Sequence, residues 1–364
     1  MGGKDRSVTR AGSLARTGPG RRMLLQGAAK SPGYRSYAAY SAEAEARLPG
    51  LADGIARDIR GRIRDDASPA STQRAFADEV GYPEMELSGG ALGDAAARLA
   101  DPAAVLDRVM RILDSNFVKM TLPVLYALYD GAAEHAGRDA SLRRDVVEGH
   151  VLAIDLSEPM DRIMDRDEDL EYLDDYRLMN PHLLAAARSM ISRGGEAVLS
   201  GFEEGFRDAM AGQRLDAELK SRPRQITWQD MEESYKKYRS VMGTAGSNMA
   251  LAERPLCEAY RTGMGRAAEA AGCGNEIEDS VKSGTVKVPS WPLYYSVITG
   301  DVGSGFRMAL GRGSAYLRDA RMALDMLPDG YSRRGMLEFL FLALDHYNRH
   351  WYGRLGGAMP GMIP

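Results

Sequence analysis

Cysteine is almost missing from this chain, and with it go the arrangements that cysteine supports. Cys257 and Cys273 stand alone, without a CxxC spacing, which excludes a disulfide framework and makes a reducing compartment the expected setting. No stretch approaches the roughly 20 apolar residues that a membrane-spanning helix needs. The nearest candidate, residues 336–344, is short and contains Glu338. Near the start only Met23, Leu24 and Leu25 form an apolar run, too little for a secretory signal. Nucleophile and phosphate-loop signatures are also lacking: there is no GxSxG, no HExxH, and no GxxxxGK followed by Ser or Thr. Strand-forming segments are scarce. Thr285-Val286-Lys287-Val288 alternates, but Pro289 and Pro292 confine the adjoining stretch to edge or extended structure.

The chain does carry a marked segregation of charge. Lys4, Arg6, Arg10, Arg16, Arg21, Arg22, Lys30 and Arg35 face a single acid, Asp5, in residues 1–40. That leaves +7 there, and because the whole chain is −4, the remaining residues carry −11. A basic segment punctuated by glycine and serine suits phosphates, since binding a polyanion needs charge and reach more than shape. Tyr34, Tyr37 and Tyr40 beside Arg35 could stack on bases or lie on a neighbouring subunit. An alternative for this segment is a mitochondrial transit peptide, which is also Arg-rich and poor in acids. Its glycines and prolines would interrupt the amphipathic helix such a peptide requires.

The body reads as helices. Asp101-Pro102 is a capping acid before a first-turn proline, followed by Val105, Leu106, Val109, Ile112 and Leu113 on one stripe. Asn180-Pro181 repeats the device, with Gly194-Gly195 as the stop. Thr227 to Asp230 resembles a capping box with Asp where Glu or Gln is usual, opening a helix that is expected to run to about Val241, before Gly243. Leu51, Ile55, Ile59 and Ile63 recur every four residues, with arginines on the other faces. Residues 336–351 are apolar nearly all round and read as the central buried helix. Loops are expected at 68–72, 83–93, 194–195, 243–247, 272–274 and 300–305. The fold class is mainly α: a single large helical body with at most one short β-hairpin. An extended basic N-terminal arm (1–40) precedes the body (41–364), which has room for a protruding subdomain in mid-chain.

Candidate chemistry is thin. His346 and His350 share a helical face but lack a third ligand, so they read as a structural pair. The glycine-rich Gly300-Asp301-Val302-Gly303-Ser304-Gly305 reads as a helix–helix turn. The run 165–175 holds Asp165, Asp167, Glu168, Asp169, Glu171, Asp174 and Asp175, and carboxylates one turn apart can share a hard cation and a diphosphate. A solvated acidic helix is the other reading of that run. Together with it, Asn275-Glu276-Ile277-Glu278-Asp279-Ser280, about seventy residues before Arg349-His350-Trp351-Tyr352, resembles the second metal motif and the C-terminal Arg-Tyr sensor of terpene cyclases. The second motif departs from that pattern in lacking its Ser and Glu at the required spacings. That resemblance implies a magnesium-dependent helical enzyme acting on a diphosphate.

The leading expectation from sequence is nevertheless non-enzymatic. A basic arm, an acidic helical body rich in interface-favouring Tyr, Met and Arg, and no catalytic constellation together describe a self-assembling capsid or nucleocapsid subunit. Its partners would be copies of itself and an RNA genome or other polyanion bound by the eight arm cations. No membrane partner, cofactor or metal is expected, and the location would be the virion or host cytoplasm, or the mitochondrion if the arm is a transit segment. The terpene-synthase-like enzyme is the alternative.

Overall fold

The computed structural model describes residues 30–31, 33–164 and 173–355. Among them all regular structure is helical: fifteen α-helices and three short 3-10 turns, with no strand. The body is therefore mainly α, as its punctuation implies. The alternating stretch at Thr285–Val288 forms bends and irregular backbone, with Val286 buried.

The first helix, α1 (Tyr34–Asp65), buries Leu51, Ile55 and Ile59 and leaves Arg57, Arg60 and Arg64 outward. Helices α2 (Pro69–Val80), α3 (Gly89–Leu99) and α4 (Pro102–Leu113) come after it, and Asp101 caps α4 by accepting from the Ala103 amide. Next comes α5 (Asn116–Ala136), buried on nearly every face from Val118 to Ala133. It is one of the enclosed helices of the bundle, together with the stretch 146–155, a role that the sequence pattern assigns to residues 336–351. Those residues lie in the last helix, α15 (Arg334–Gly353), where Leu342 and Arg349 are exposed opposite Phe339, Phe341 and Ala343.

Helices α6 (Arg143–Asp155), α7 (Ser157–Met164) and α8 (Leu173–Ile191) come next. Asn180-Pro181 does not open a helix; Pro181 is interior to α8, and Asn180 is buried. Helix α9 (Glu196–Leu219) leads to α10 (Trp228–Ser234), whose Thr227/Asp230 capping box forms as the sequence implies. The chain turns at Tyr235 and continues as α11 (Lys236–Met249), passing through Gly243 instead of ending before it. Helix α12 (Arg254–Ser283) likewise runs through residues 272–274. The glycines of α11 serve packing. A Cβ on Gly246 would stand 2.8 Å from the Tyr260 carbonyl of α12, and one on Gly243 would stand 3.0 Å from that of Arg261. Without side chains there, α11 and α12 approach backbone to backbone. Helices α13 (Trp291–Thr299) and α14 (Val302–Met322) complete the set, with Asp301 capping α14.

Ion pairs tie the outer helices to the core. Asp175 of α8 is fully buried and accepts from Arg98 Nε at 2.8 Å and Arg108 Nε at 3.1 Å. One end of the acidic run is thus structural. Removing this carboxylate takes from the buried Arg108 the anion that both its Nε and its Nη2 face. Asp175→Ala is therefore expected to cost about 3–5 kcal/mol in urea unfolding. Asp174→Ala breaks only a partly exposed pair with Arg177 and is expected to cost less than about 1 kcal/mol. Equal losses for the two variants would refute the clamp.

Candidate functional site: the charged end of the bundle

Three helix ends meet at one pole of the bundle. The C-terminal turns of α9 and α12 and the first turn of α11 lie together there, joined by α7. Lys237, at the start of α11, places Nζ 2.6 Å from Oδ1 of Asp216 on α9 and 5.1 Å from the ring centre of Tyr238. Lys287, just past α12, places Nζ 2.6 Å from Oδ2 of Asp279. Asp161 of α7 is within electrostatic range of Lys237. Burial acts to discharge Lys237, but Asp216, Tyr238 and Asp161 overcome it and hold the ammonium well above its ordinary pKa. Lys287 has the same pattern: burial lowers it, while Tyr238 and Asp279 raise it further.

Behind the lysines lies Glu276, 4% exposed. Its Oε2 accepts from the Trp291 amide at 3.0 Å, and the Tyr235 hydroxyl also bonds to it. Burial pushes the Glu276 carboxyl up to about 7, against the pull of those hydrogen bonds and of Lys287 and Lys237. On the α2 side stands Tyr82, 8% exposed. Its hydroxyl is buried without a hydrogen-bond partner among the described residues. The charges acting on it are Arg214, Asp161, Asp216 and Lys237. Arg214 itself donates from Nη1 to the Val80 carbonyl at 2.9 Å.

A magnesium site is not completed by this set. Among the described residues no three His, Cys, Asp or Glu side chains converge closely enough to hold a metal ion. Asp216 and Asp279 each face a lysine instead of another carboxylate. The pole is a lattice of ammonium–carboxylate pairs with a tyrosine hydroxyl at its edge.

Two spaces adjoin it. A hollow of about 140 Å³ is lined by Glu79, Glu203, Phe206, Arg207, Met210 and Arg214. It lies along α9, and its lining sets the apolar Phe206 and Met210 among four charged side chains. Deeper in, the seam between α6, α9 and α11 is closed by His150, Ile154, Phe202, Phe206, Val241 and Thr244, with no room for a water molecule. Phe202 and Phe206 stack at 5.9 Å between ring centres. His150 sits edge-on to Phe202 at 5.8 Å, with Nδ1 2.7 Å from the Val146 carbonyl. Asn248 Nδ2 donates to its Nε2 at 2.9 Å. Burial lowers the imidazole to about 4, so it is neutral at neutral pH, as that bonding requires.

Of the arm cations named from sequence, Lys4, Arg6, Arg10, Arg16, Arg21 and Arg22 lie outside the described residues. Lys30 and Arg35 are exposed, the latter on the first turn of α1. Their neighbouring tyrosines are committed to the body: Tyr37 is buried, with its ring 4.6 Å from that of Phe339, and Tyr40 donates to Asp130 at 3.1 Å. Residues 165–172 of the acidic run also lie outside the described residues. The 275–280 segment does reach the pole, through Glu276 and Asp279. Arg349 does not; it pairs with Asp345 on the exposed side of α15. His346 and His350 are half-buried on the same helix. Lys237, Lys287, Asp216, Tyr82 and Tyr238 carry no motif that singles them out in the sequence, and only the Tyr-Lys-Lys-Tyr run at 235–238 hints at them.

No family model matches the chain, and no curated protein is similar to it in sequence. Solved structures are similar in fold. A geranylgeranyl pyrophosphate synthetase from the archaeon Geoglobus acetivorans superposes with a TM-score of 0.57 at 13% identity, covering 80% of this chain and 98% of that one. A polyprenyl synthase from Caulobacter crescentus, solved with calcium and isoprenyl diphosphate, gives 0.57 at 13%, covering 76% and 97%. A polyprenyl synthetase from Streptomyces coelicolor gives 0.51 at 16%, covering 82% and 96%. The described helices therefore form the fold of isoprenyl diphosphate synthases over nearly the whole length of those proteins. This overturns the capsid-subunit expectation, together with the virion location and the absence of catalysis that went with it. Charge segregation reports where charges lie along the chain, and it does not distinguish one helical bundle from another.

Glu276 carries a testable consequence. Its folded pKa of about 7 stands above the ordinary 4.5, so the neutral carboxyl favours the folded state. That contribution is complete below about pH 4.5 and is lost as pH rises through about 7, a difference on the order of 3 kcal/mol. Glu276→Gln keeps an acceptor for the Trp291 amide and cannot ionise. Its melting temperature is expected to exceed that of the parent at pH 8 and to match it near pH 5. A gap that does not change with pH would contradict the buried-carboxyl account.

Proposed function

We propose that this protein is an enzyme acting on isoprenoid diphosphates, with the diphosphate seated at the Lys237/Lys287 pole and the prenyl chain directed along α9 toward Phe206 and Met210. The observation that carries the reading is a coincidence of fold and charge. The chain has the architecture of isoprenyl diphosphate synthases, and the helix α9 that carries Asp216 to the pole also lines a hollow in which Phe206 and Met210 stand beside Arg207 and Arg214.

The chemistry is set by the demands of a diphosphate ester. Breaking the bond between the prenyl carbon and the diphosphate oxygen sends an electron pair onto the departing diphosphate and leaves an allylic cation, which water captures to give the prenyl alcohol and a proton, or which loses a proton to give a diene. Fixed cations aimed at that oxygen lower the barrier, because they require no reorganisation as the charge develops. Lys237 and Lys287 are fixed in this sense, each anchored to a carboxylate. Arg214 is anchored to a backbone carbonyl. The prenyl chain needs apolar contacts, which Phe206 and Met210 supply in a lining that also holds Glu79, Glu203 and Arg207. The seam beyond, filled by Phe202 and Phe206, is closed, so a long chain fits only if these rings turn aside.

Isoprenyl diphosphates of increasing length, up to geranylgeranyl diphosphate, are expected to raise the melting temperature of the purified protein and to release inorganic diphosphate on incubation. Lys237→Gln is expected to reduce that release at least about tenfold, as loss of one charge-assisted contact implies. Phe206→Ala is expected to favour longer chains relative to shorter ones. Absence of both stabilisation and release across the series would rule out the assignment.

A further inference from the structure

We infer that the tip of the α13–α14 hairpin, with Trp228 of α10 beside it, docks this protein onto the surface of an anionic lipid bilayer. The inference goes beyond the enzyme reading and does not depend on it.

Exposure is the first argument. Val297, Ile298, Thr299, Gly300 and Asp301 are all exposed in succession, so the hairpin presents its turn to solvent. Ile298 is 57% exposed, and Val297, Met308 and Trp228 are each 42% exposed. Single apolar side chains in water are ordinary, but a contiguous group of them marks an interaction surface.

Helix geometry makes this group contiguous. The Trp228 ring lies 4.9 Å from that of Trp291, 6.2 Å from that of Tyr294 and 6.4 Å from that of Tyr295. Ile298 stands one turn beyond Tyr294 and Tyr295, on the same face of α13. Across the hairpin, the Arg312 guanidinium sits 4.7 Å over the Trp228 ring and 5.3 Å over Trp291. Met308 is one turn before Arg312, on the same face of α14. The patch therefore runs from Trp228 through Tyr294 to Ile298 and Met308.

Shape and charge select the occupant. The apolar side chains crown a turn between two helices, a convex shape to which a bilayer surface can yield. Trp and Tyr rings suit the boundary between acyl chains and headgroups, where one edge is apolar and the other wet. Arg307, next to Met308, and Arg224, in the segment leading into α10, are exposed and can face lipid phosphates. The carboxylates of this region are engaged within the fold. Glu232 pairs with Arg312, Asp230 pairs with Arg222 and closes its capping box, and Asp301 accepts from the Ser304 amide at 2.7 Å. Arg307 also acts on Asp301, which offsets the repulsion between that carboxylate and a phosphate. A second copy would bring the same arginines against these, whereas an anionic surface complements them. None of the described helices is long and apolar enough to cross a membrane, so the contact is peripheral.

The test is flotation of the full-length protein with vesicles of phosphatidylcholine, alone or with roughly one-third phosphatidylglycerol. Binding to the mixed vesicles is expected, at least about fivefold stronger than to phosphatidylcholine and weakened by salt. Of the three tryptophans, Trp291 and Trp351 are buried and Trp228 is exposed. Tryptophan emission should therefore shift to the blue on binding and be quenched by lipids brominated in the acyl chain. Trp228→Phe should still bind and lose both signals. Ile298→Asp should weaken binding about tenfold or more, and Ile298→Ser about fivefold, each with the parent's melting temperature. Arg307→Gln should weaken it about fivefold and flatten its salt dependence. Absence of flotation with the mixed vesicles, or flotation that both Ile298 variants leave unchanged, overturns the inference. So does a dimer in size-exclusion chromatography that Ile298→Asp splits, because the patch would then belong to a second copy.

Discussion

The charged pole depends on one ion pair. Asp216 sits near the end of α9 almost out of contact with water, where a lone carboxylate would either take up a proton or destabilise the bundle. Lys237 resolves this from the first turn of α11, and its own burial is tolerable only because Asp216, Tyr238 and Asp161 surround it. The pair sets how the two helix ends meet. With that junction in place, α11 can lie against α12 through Gly243 and Gly246, and α12 then delivers Glu276 and Asp279 to the same pole. The charges gathered at this end are thus also the ones that hold it together.

The likeness to isoprenyl diphosphate synthases is one of architecture, and the interior departs from an open binding chamber. Phe202, Phe206 and the neutral His150 fill the seam between α6, α9 and α11. The remaining space lies along the outer side of α9, next to Arg214. Lysine–carboxylate pairs occupy the pole where converging carboxylates would favour a hard cation. These departures belong together. At this pole Asp216 and Asp279 are each engaged by a lysine.

Local signals were legible where a single helix suffices to produce them. The caps at Asp101 and Thr227 and the Leu51/Ile55/Ile59 stripe act within one helix, and each appears where its residues imply. Signals that required a neighbour were misread. Gly243 and Gly272–Gly274 resemble helix stops, yet they sit inside α11 and α12, because a small residue is needed where another element presses close. Asn180-Pro181 has the form of a helix start, but α8 absorbs its proline. The enclosed helix α5 went unnoticed beside the more apolar run at 336–351, since burial depends on position in the bundle as well as on composition.

Composition and periodicity alone thus determined that this chain is mainly helical and lacks the cysteines for a disulfide framework, while the resemblance to a terpene-cyclase metal motif is what drew the 275–280 segment out of the sequence. Which helices neighbour one another was decided only by the tertiary structure, and the site is a property of those neighbours. Asp216 and Lys237 are separated by a loop and a short helix, and Tyr82 lies far from both along the chain. Nothing in a one-dimensional pattern records that they face the same small region of space, because electrostatic and hydrogen-bond partners are chosen by distance in three dimensions and not by separation along the chain.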